Sequence, residues 1–245
     1  IPRLSILSEK LSVSLMKEIK VIVPTQSPRS GVDSLLIANS VKQFRDSCPY
    51  ERIEFHFEFE NKLPLAKVYN KHITEENADK ILVFCHDDII IEDLFLVKKL
   101  NEAIGNFDIV GLAGNIGPIN IQEPCLWHLM GPNHTGAVAH FTDGRNTRFM
   151  TSFGPTPNRS ILLDGVFLAI DTEKILKSGL KFDEMNPAAF HFYDLNFSLD
   201  ANALKLKLGT WPIWITHQSH GLSERSSDWE AGQNYFMKKY LNSTN

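Results

Sequence analysis

Cysteine is scarce. Only Cys48, Cys85 and Cys125 occur among 245 residues, in no CxxC spacing. An odd count offers no paired disulfide framework, so a reducing compartment is expected, with the cytoplasm as default. A basic surplus is also missing: 25 Lys and Arg face 29 Asp and Glu, for a net charge of −4. A dedicated nucleic-acid binder would carry the opposite balance. No apolar run approaches the roughly 18–20 residues that span a bilayer. The stretch from Ile1 to Lys20 alternates Leu with Ser, Lys and Glu and has no continuous apolar centre of the signal-peptide kind. Repeats and low-complexity tracts are absent too. The chain begins on Ile1, which is compatible with a piece of a longer protein. What remains is a folded, mildly acidic chain with enough apolar residues, 43%, for one substantial core.

The first half reads as strands alternating with helices. Lys20–Pro24 is a β-branched run closed by proline, and Lys80–Cys85 is a second apolar strand. Between them, Ile53, Phe55, Phe57 and Phe59 alternate with Glu54, His56 and Glu58, the pattern of a half-buried strand. Phe107–Leu112 makes a fourth strand. Helices are predicted over about 31–46, Leu65–Glu76 and Asp93–Ile104. This alternation implies an α/β fold with right-handed crossovers and a mainly parallel sheet. Residues 114–160 hold six of the 14 Gly and five of the 12 Pro with little periodicity, which reads as a long functional loop region. Beyond it the pattern predicts a strand over Ile161–Ile170 and a short helix over Asp171–Lys177 ended by Gly179. A helix over Asp194–Leu208, ended by Gly209, then precedes a strand over Trp211–Thr216 and a helix around Glu230–Tyr240.

Few residues stand out as chemistry. His86-Asp87-Asp88 follows the strand Ile81–Cys85 directly. Ligands of open α/β sheets bind beyond the carboxyl ends of strands, and carboxylates there can hold a divalent cation against phosphate oxygens. Two acids after a strand can equally form a turn or cap a helix. His217, with His220 close behind, ends the last strand and is a potential metal ligand, though nine His are scattered along the chain. Asp194 opens a helix, as an N-cap or as a general base facing a cleft. Asp164-Gly165 interrupts an apolar run, where a carboxylate is costly unless paired.

In order along the chain stand Val21-Ile22-Val23-Pro24-Thr25, Leu65–Asn70, Phe84–Asp88, Leu163–Phe167, Phe182-Asp183-Glu184, Phe192–Leu195 and His217-Gln218-Ser219. Together they resemble a GT-A fold glycosyltransferase of the family 2 type, in the glycosyltransferase-like branch where His-x-Asp replaces Asp-x-Asp. The resemblance covers roughly residues 18–222. It implies a Rossmann-like α/β/α sandwich over 1–245. Residues 18–115 would form the nucleotide-sugar half, 116–222 the acceptor and metal-ligand half, and 223–245 a C-terminal helix.

The resemblance also implies roles. Pro24, Thr25 and Gln26, with the turn holding Glu60 and Asn61, would line the base and ribose pocket. Asn70 would support the donor, and His86 and Asp87 would contact it, His86 from the position of the first acid, which meets ribose or metal. Asp88 and His217 would hold Mn²⁺ or Mg²⁺. Asp164 and Gly165 would meet the donor sugar, and Asp194 would be the catalytic base. Two positions depart from the pattern: His86 stands for the first acid, and Tyr193 for the Glu of the usual Glu-Asp pair. The implied reaction is an inverting, metal-dependent transfer from a nucleoside diphosphate sugar, UDP-linked by analogy, to a hydroxyl of a glycan, lipid-linked or protein acceptor. It is compatible with peripheral membrane association and implies no nucleic-acid partner. Trp127 and Trp211 are candidates for stacking on sugars, or core residues. Residues 218–229 could form a lid that brings Arg225 to the diphosphate. Two other readings remain: an inactive sugar- or partner-binding domain of the same fold, and a nucleotidyltransferase. The latter normally shows a Gly-rich basic loop after the first strand, where this chain has Thr25–Gly31.

Overall fold

A computed structural model describes residues 16–49, 51–117, 133–141, 147–218 and 226–241. The first strand, β1 (Ile19–Pro24), is followed by a 3-10 turn at Arg29–Ser34 and by α1 (Ile37–Ser47). The helix expected over about 31–46 therefore starts later, and Ile37, Ser40 and Phe44 form its buried stripe. Next come β2 (Ile53–Glu58), α2 (Leu65–Asn70), β3 (Ile81–Cys85), β4 (Ile89–Ile91), α3 (Leu96–Ile104), β5 (Ile109–Gly111) and β6 (Ala113–Asn115). The part described of the region expected to be irregular holds β7 (His134–Phe141), β8 (Arg148–Gly154) and β9 (Asn158–Ser160). The chain continues through β10 (Leu162–Leu163), β11 (Phe167–Asp171), α4 (Thr172–Ser178), α5 (Tyr193–Ala203), β12 (Leu208–Thr210), β13 (Ile215–His217) and α6 (Ser227–Leu241). Among the described residues no helix is long and apolar enough to cross a membrane.

Seven strands form the main sheet, in the order β2-β1-β3-β11-β5-β12-β9. Strands β2, β1 and β3 pair in parallel, as do β5 and β12, while β11 and β9 run the other way. Side chains of β1 and β3 alternate between two buried faces. Val21, Val23, Ile81 and Val83 join one core cluster, and Ile22, Leu82 and Phe84 the other. Burial on both faces accounts for their nearly continuous apolar runs. The edge strand β2 stays half-buried, as its alternation predicts.

Register decides where the functional segments emerge. Pro24 pairs with Glu58, and β1 with β3 runs from Ile19↔Ile81 to Ile22↔Phe84. The segments after β1, β2 and β3 therefore leave the sheet at one edge. Strand β11 is antiparallel to β3, with Phe167 opposite Cys85. Its beginning, Asp164–Val166, thus lies at that same edge. The apolar run Ile161–Ile170 is not one strand but two, broken at Asp164–Val166, because β10 belongs to a second sheet, β10-β6-β7-β13-β4.

Two more expectations shift. Helix α5 ends at Ala203 rather than Leu208: Lys205 turns the chain with φ of 60°, and Gly209 sits inside β12 against the Phe107 ring. The last strand is Ile215–His217, short of Trp211. Gly179 does close α4, with φ of 73° in the left-handed region that glycine occupies without penalty.

Candidate active site

A cleft of about 470 Å³ opens at this edge, lined by Pro24, Thr25, Gln26, Ser27, Asn61, Leu65, Tyr69, Cys85, His86, Asp87, Asp88, Phe190 and His191. Its volume lies in the range of small-ligand sites, about 300–1,000 Å³. Local bonding shapes the wall. The Ser27 N–H donates to Thr25 Oγ1 at 3.1 Å, and the Asn61 N–H donates to the Thr25 carbonyl at 2.8 Å. Glu60 contributes its backbone instead, its N–H meeting the Ser27 carbonyl at 3.1 Å with φ of 50°. Asn70 faces away from the lining. Its amide donates to the Phe182 carbonyl and to Glu184 Oε1 at 2.9 and 2.8 Å, and accepts from the Phe182 N–H at 2.9 Å. It ties α2 to the Phe182-Asp183-Glu184 segment.

Strand pairing delivers His217. Strand β13 is antiparallel to β4 with His217 opposite Ile89, and the Gln218 N–H donates to the Asp88 carbonyl at 2.9 Å. His217 Nε2 then lies 3.3 Å from Asp88 Oδ1, and His86 Nδ1 lies 3.8 Å from the same oxygen. All three ligand atoms fall within 4.8 Å of one another. Burial tends to raise the Asp88 carboxyl, but the His217 and His86 rings outweigh it and hold the pKa below its ordinary value.

The two positions that depart from the family pattern meet each other. Tyr193 OH donates to the Gly165 carbonyl at 2.9 Å and lies 3.0 Å from His86 Nε2. Because the phenol proton is committed to a carbonyl, His86 must carry its own proton on Nε2 to complete the bond. That leaves a lone pair on Nδ1 facing Asp88. Burial is the main cause lowering the His86 pKa, and His217 adds to it. A lone pair aimed at a carboxylate is unfavourable unless a cation lies between them. Asp88 Oδ1 is in addition buried with no hydrogen bond of proper geometry. This donor set of two imidazole nitrogens and one carboxylate oxygen fits a divalent cation, and Tyr193 supplies the outer contact that orients a ligating ring.

Beside this cluster lies Asp194, at the start of α5. Its Oδ2 accepts from the Gly165 N–H at 2.8 Å and its Oδ1 from the Leu195 N–H at 2.9 Å. Burial first, and the Asp164 charge second, push its pKa up to about 7. The same Asp164 charge acts on His86 and His140, so it lies within electrostatic reach of both the cation cluster and the base candidate. Asp164 Oδ1 accepts from the Val166 N–H at 3.0 Å, which turns the chain into β11. Gly165 is required by close approach. A Cβ there would meet Tyr193 OH at 2.3 Å and Asp194 Cβ at 2.9 Å. Gly165→Ala is therefore expected to cost about 1–3 kcal/mol, the usual penalty of overpacking. Denaturant unfolding checks this, and wild-type stability would show the contact to be slack.

Several residues at the site carry no local sequence signal. His140 comes beside His217 through the pairing of β7 with β13, their ring centroids 5.9 Å apart. Phe149 stacks on His140 at 5.4 Å. Phe192, just before Tyr193, holds a φ of 64° and packs on Trp229 and Phe236 of α6. Such backbone strain persists only where surrounding packing enforces it. Trp211 packs edge-on to Phe107 at 6.4 Å, on the core side of β12. Trp127, Cys125, His220, Arg225 and residues 219–225 of the lid expected over 218–229 lie outside the described residues, while the end of that stretch, from Ser227, begins α6.

The sequence model of the glycosyltransferase-like family matches residues 49–240. The chain belongs to that family. Its mixed sheet with helices on both faces is the GT-A arrangement, and the general activity of this glycosyltransferase-like chain is that of a transferase. Among solved structures, A197 from STIV is 13% identical over 80% of this chain and 82% of its own, with a TM-score of 0.46. A mannosyltransferase from Pyrobaculum calidifontis, solved with GDP-Man and Mn²⁺, is 12% identical over 84% of this chain and 59% of its own, with a TM-score of 0.45. A search of curated proteins gave no match.

Proposed function

We propose that this chain is an inverting glycosyltransferase that uses a divalent cation and a nucleoside diphosphate sugar. The observation that carries the reading is the convergence of His86, Asp88 and His217 at one end of a cleft, with Asp194 linked to them through Gly165 and Tyr193. In this reading residues 18–115 form the nucleotide-sugar half and residues 116–222 the acceptor and metal-ligand half. Thr25, Gln26 and Asn61 receive the base and ribose. His86, Asp88 and His217 would hold Mn²⁺ or Mg²⁺. That cation would supply Lewis-acid stabilisation of the negative charge that grows on the departing diphosphate.

Asp194 is the base. A carboxylate with a pKa of about 7 removes a hydroxyl proton far better than one near 4, while still ionising at neutral pH. It takes the proton of an acceptor hydroxyl as that oxygen bonds to the anomeric carbon and the bond to the diphosphate breaks. Attack from the face opposite the leaving group inverts the configuration. Asp164 orients the sugar hydroxyls and keeps the Asp194 pKa high. The Phe149 ring, about half exposed and braced by His140, offers an apolar face on the acceptor side.

The direct test supplies a panel of nucleoside diphosphate sugars with Mn²⁺ and follows nucleotide release and product configuration. Retention of configuration, or no turnover with any donor that binds, would remove the proposal. For the competent donor, kcat/KM is expected to rise with pH and level off above about 7 as Asp194 ionises. A profile flat from pH 5 to 8 would dismiss Asp194 as the titrating base.

A further inference from the structure

A second convergence of ligating groups lies behind the cleft wall. His56 and Glu58 stand two apart on β2 and so share its outer face, while His72 follows the end of α2. Both imidazoles direct Nε2 at one carboxylate oxygen: His72 Nε2 lies 3.0 Å and His56 Nε2 3.4 Å from Glu58 Oε1. The rings meet edge to face with centroids 4.9 Å apart. Lys71 approaches the other oxygen, Oε2, at 3.9 Å, so Oε1 is left to the two rings.

These spacings suit a metal better than a hydrogen-bonded cluster. One carboxylate oxygen needs a single good donor, and His72 alone supplies it; the second ring adds little at 3.4 Å. Ligands about 2.0–2.1 Å from a tetrahedral zinc ion sit about 3.3 Å from one another. The observed 3.0 and 3.4 Å bracket that value, and all three ligand atoms lie within 4.8 Å of one another. Three protein ligands leave a fourth position for water. An entry path exists, because the His56 side chain is 37% and Glu58 26% exposed, whereas His72 is anchored at 10%.

We propose that His56, Glu58 and His72 form a second cation site, distinct from the His86–Asp88–His217 cluster and selective for a borderline transition metal such as Zn²⁺. Two neutral imidazoles and one carboxylate suit zinc, and here, unlike in the cleft, no diphosphate oxygens would complete the shell as Mn²⁺ or Mg²⁺ prefers. An ion here would clamp the end of β2 to the segment after α2. The Glu58 carbonyl already accepts from the Thr25 N–H at 3.0 Å, so the clamp acts directly on the cleft wall. The proposal does not depend on the transferase chemistry.

The test strips the full chain with a chelator and titrates Zn²⁺ by calorimetry in wild type, His56→Gln, His72→Gln and an Asp88→Ala/His217→Ala background. The background is expected to retain one zinc equivalent at micromolar affinity. Adding His56→Gln to it should weaken that binding at least about tenfold, the smallest effect typical of losing even an outer partner of a metal site. His56 is exposed enough for its variant to fold, and superimposable circular dichroism verifies this. Co²⁺ added to the stripped Asp88→Ala/His217→Ala background should show the visible absorption of a four-coordinate nitrogen and oxygen site, absent once His56→Gln is added to it. Zinc binding by wild type that is unchanged in both His variants overturns the proposal, as does a background that binds none.

Discussion

Asp194→Asn is expected to bind the donor within about twofold of wild type while kcat falls by about 10²–10⁴, the range that a positioned general base contributes. The substitution preserves shape. Its amide oxygen can still accept from the Gly165 N–H, the bond that links α5 to the break between β10 and β11. Proton acceptance is lost, and with it the rise of rate with pH. Stability supplies an independent reading of the same residue. The folded pKa of about 7 lies above the roughly 3.9 of an unfolded aspartate, so the folded chain holds this proton more tightly than the unfolded one. Wild-type stability relative to Asp194→Asn should therefore be greatest below about pH 4 and be lost as pH rises through about 7. Chemical denaturation of both proteins from pH 4 to 8 measures that difference. A stability gap that stays constant with pH would mean Asp194 titrates near its ordinary value and is not poised as a base. Near-normal kcat would remove its catalytic role outright.

The main-sheet strands were legible because their residues obey simple physics. Val21 and Val23 point one way and Ile22 the other, and both faces are covered, so β1 is apolar apart from Lys20. Ligands bind beyond the carboxyl ends of such strands, which singled out His86-Asp87-Asp88; that Thr25 and Asn61 belong with Asp88 was implied by the family resemblance. Contacts that span the chain were not legible. His86 and Tyr193 are 107 positions apart, and nothing local predicts that they share a hydrogen bond. His140 depends on the pairing of β7 with β13, inside a region whose partly exposed strands leave no periodic trace. Asn70 shows the converse. The resemblance gave it, in the Tyr-Asn pair, a role supporting the donor, and the structure shows its amide bonded to Phe182 and Glu184. His56 and Glu58 could be read as one polar face of β2, but their partner His72 arrives only when α2 folds back.

Asp88→Asn is expected to separate two effects that usually coincide. Without metal the variant should lie within about 1 kcal/mol of wild type, because two effects offset each other. The neighbouring rings favour the wild-type carboxylate, yet its Oδ1 is buried without a proper hydrogen bond, and an asparagine amide can donate to the His86 lone pair. With metal the two proteins diverge. A ligand at 100 times its dissociation constant stabilises the folded state by about 2.7 kcal/mol. For a chain of this size that raises Tm by about 5–10 °C, at 2–4 °C per kcal/mol. Wild type with Mn²⁺ and a nucleoside diphosphate should show this shift, and Asp88→Asn should show almost none. Pairing Mn²⁺ with the nucleotide matters, since a cation bound at His56, Glu58 and His72 would have no reason to depend on a diphosphate. His217→Gln should follow Asp88→Asn in losing the shift, because strand pairing sets its Nε2 3.3 Å from Asp88 Oδ1. If Asp88→Asn instead loses several degrees in chelator and keeps its full response to Mn²⁺ and nucleotide, Asp88 is a structural carboxylate. The cation of this transferase must then be held elsewhere.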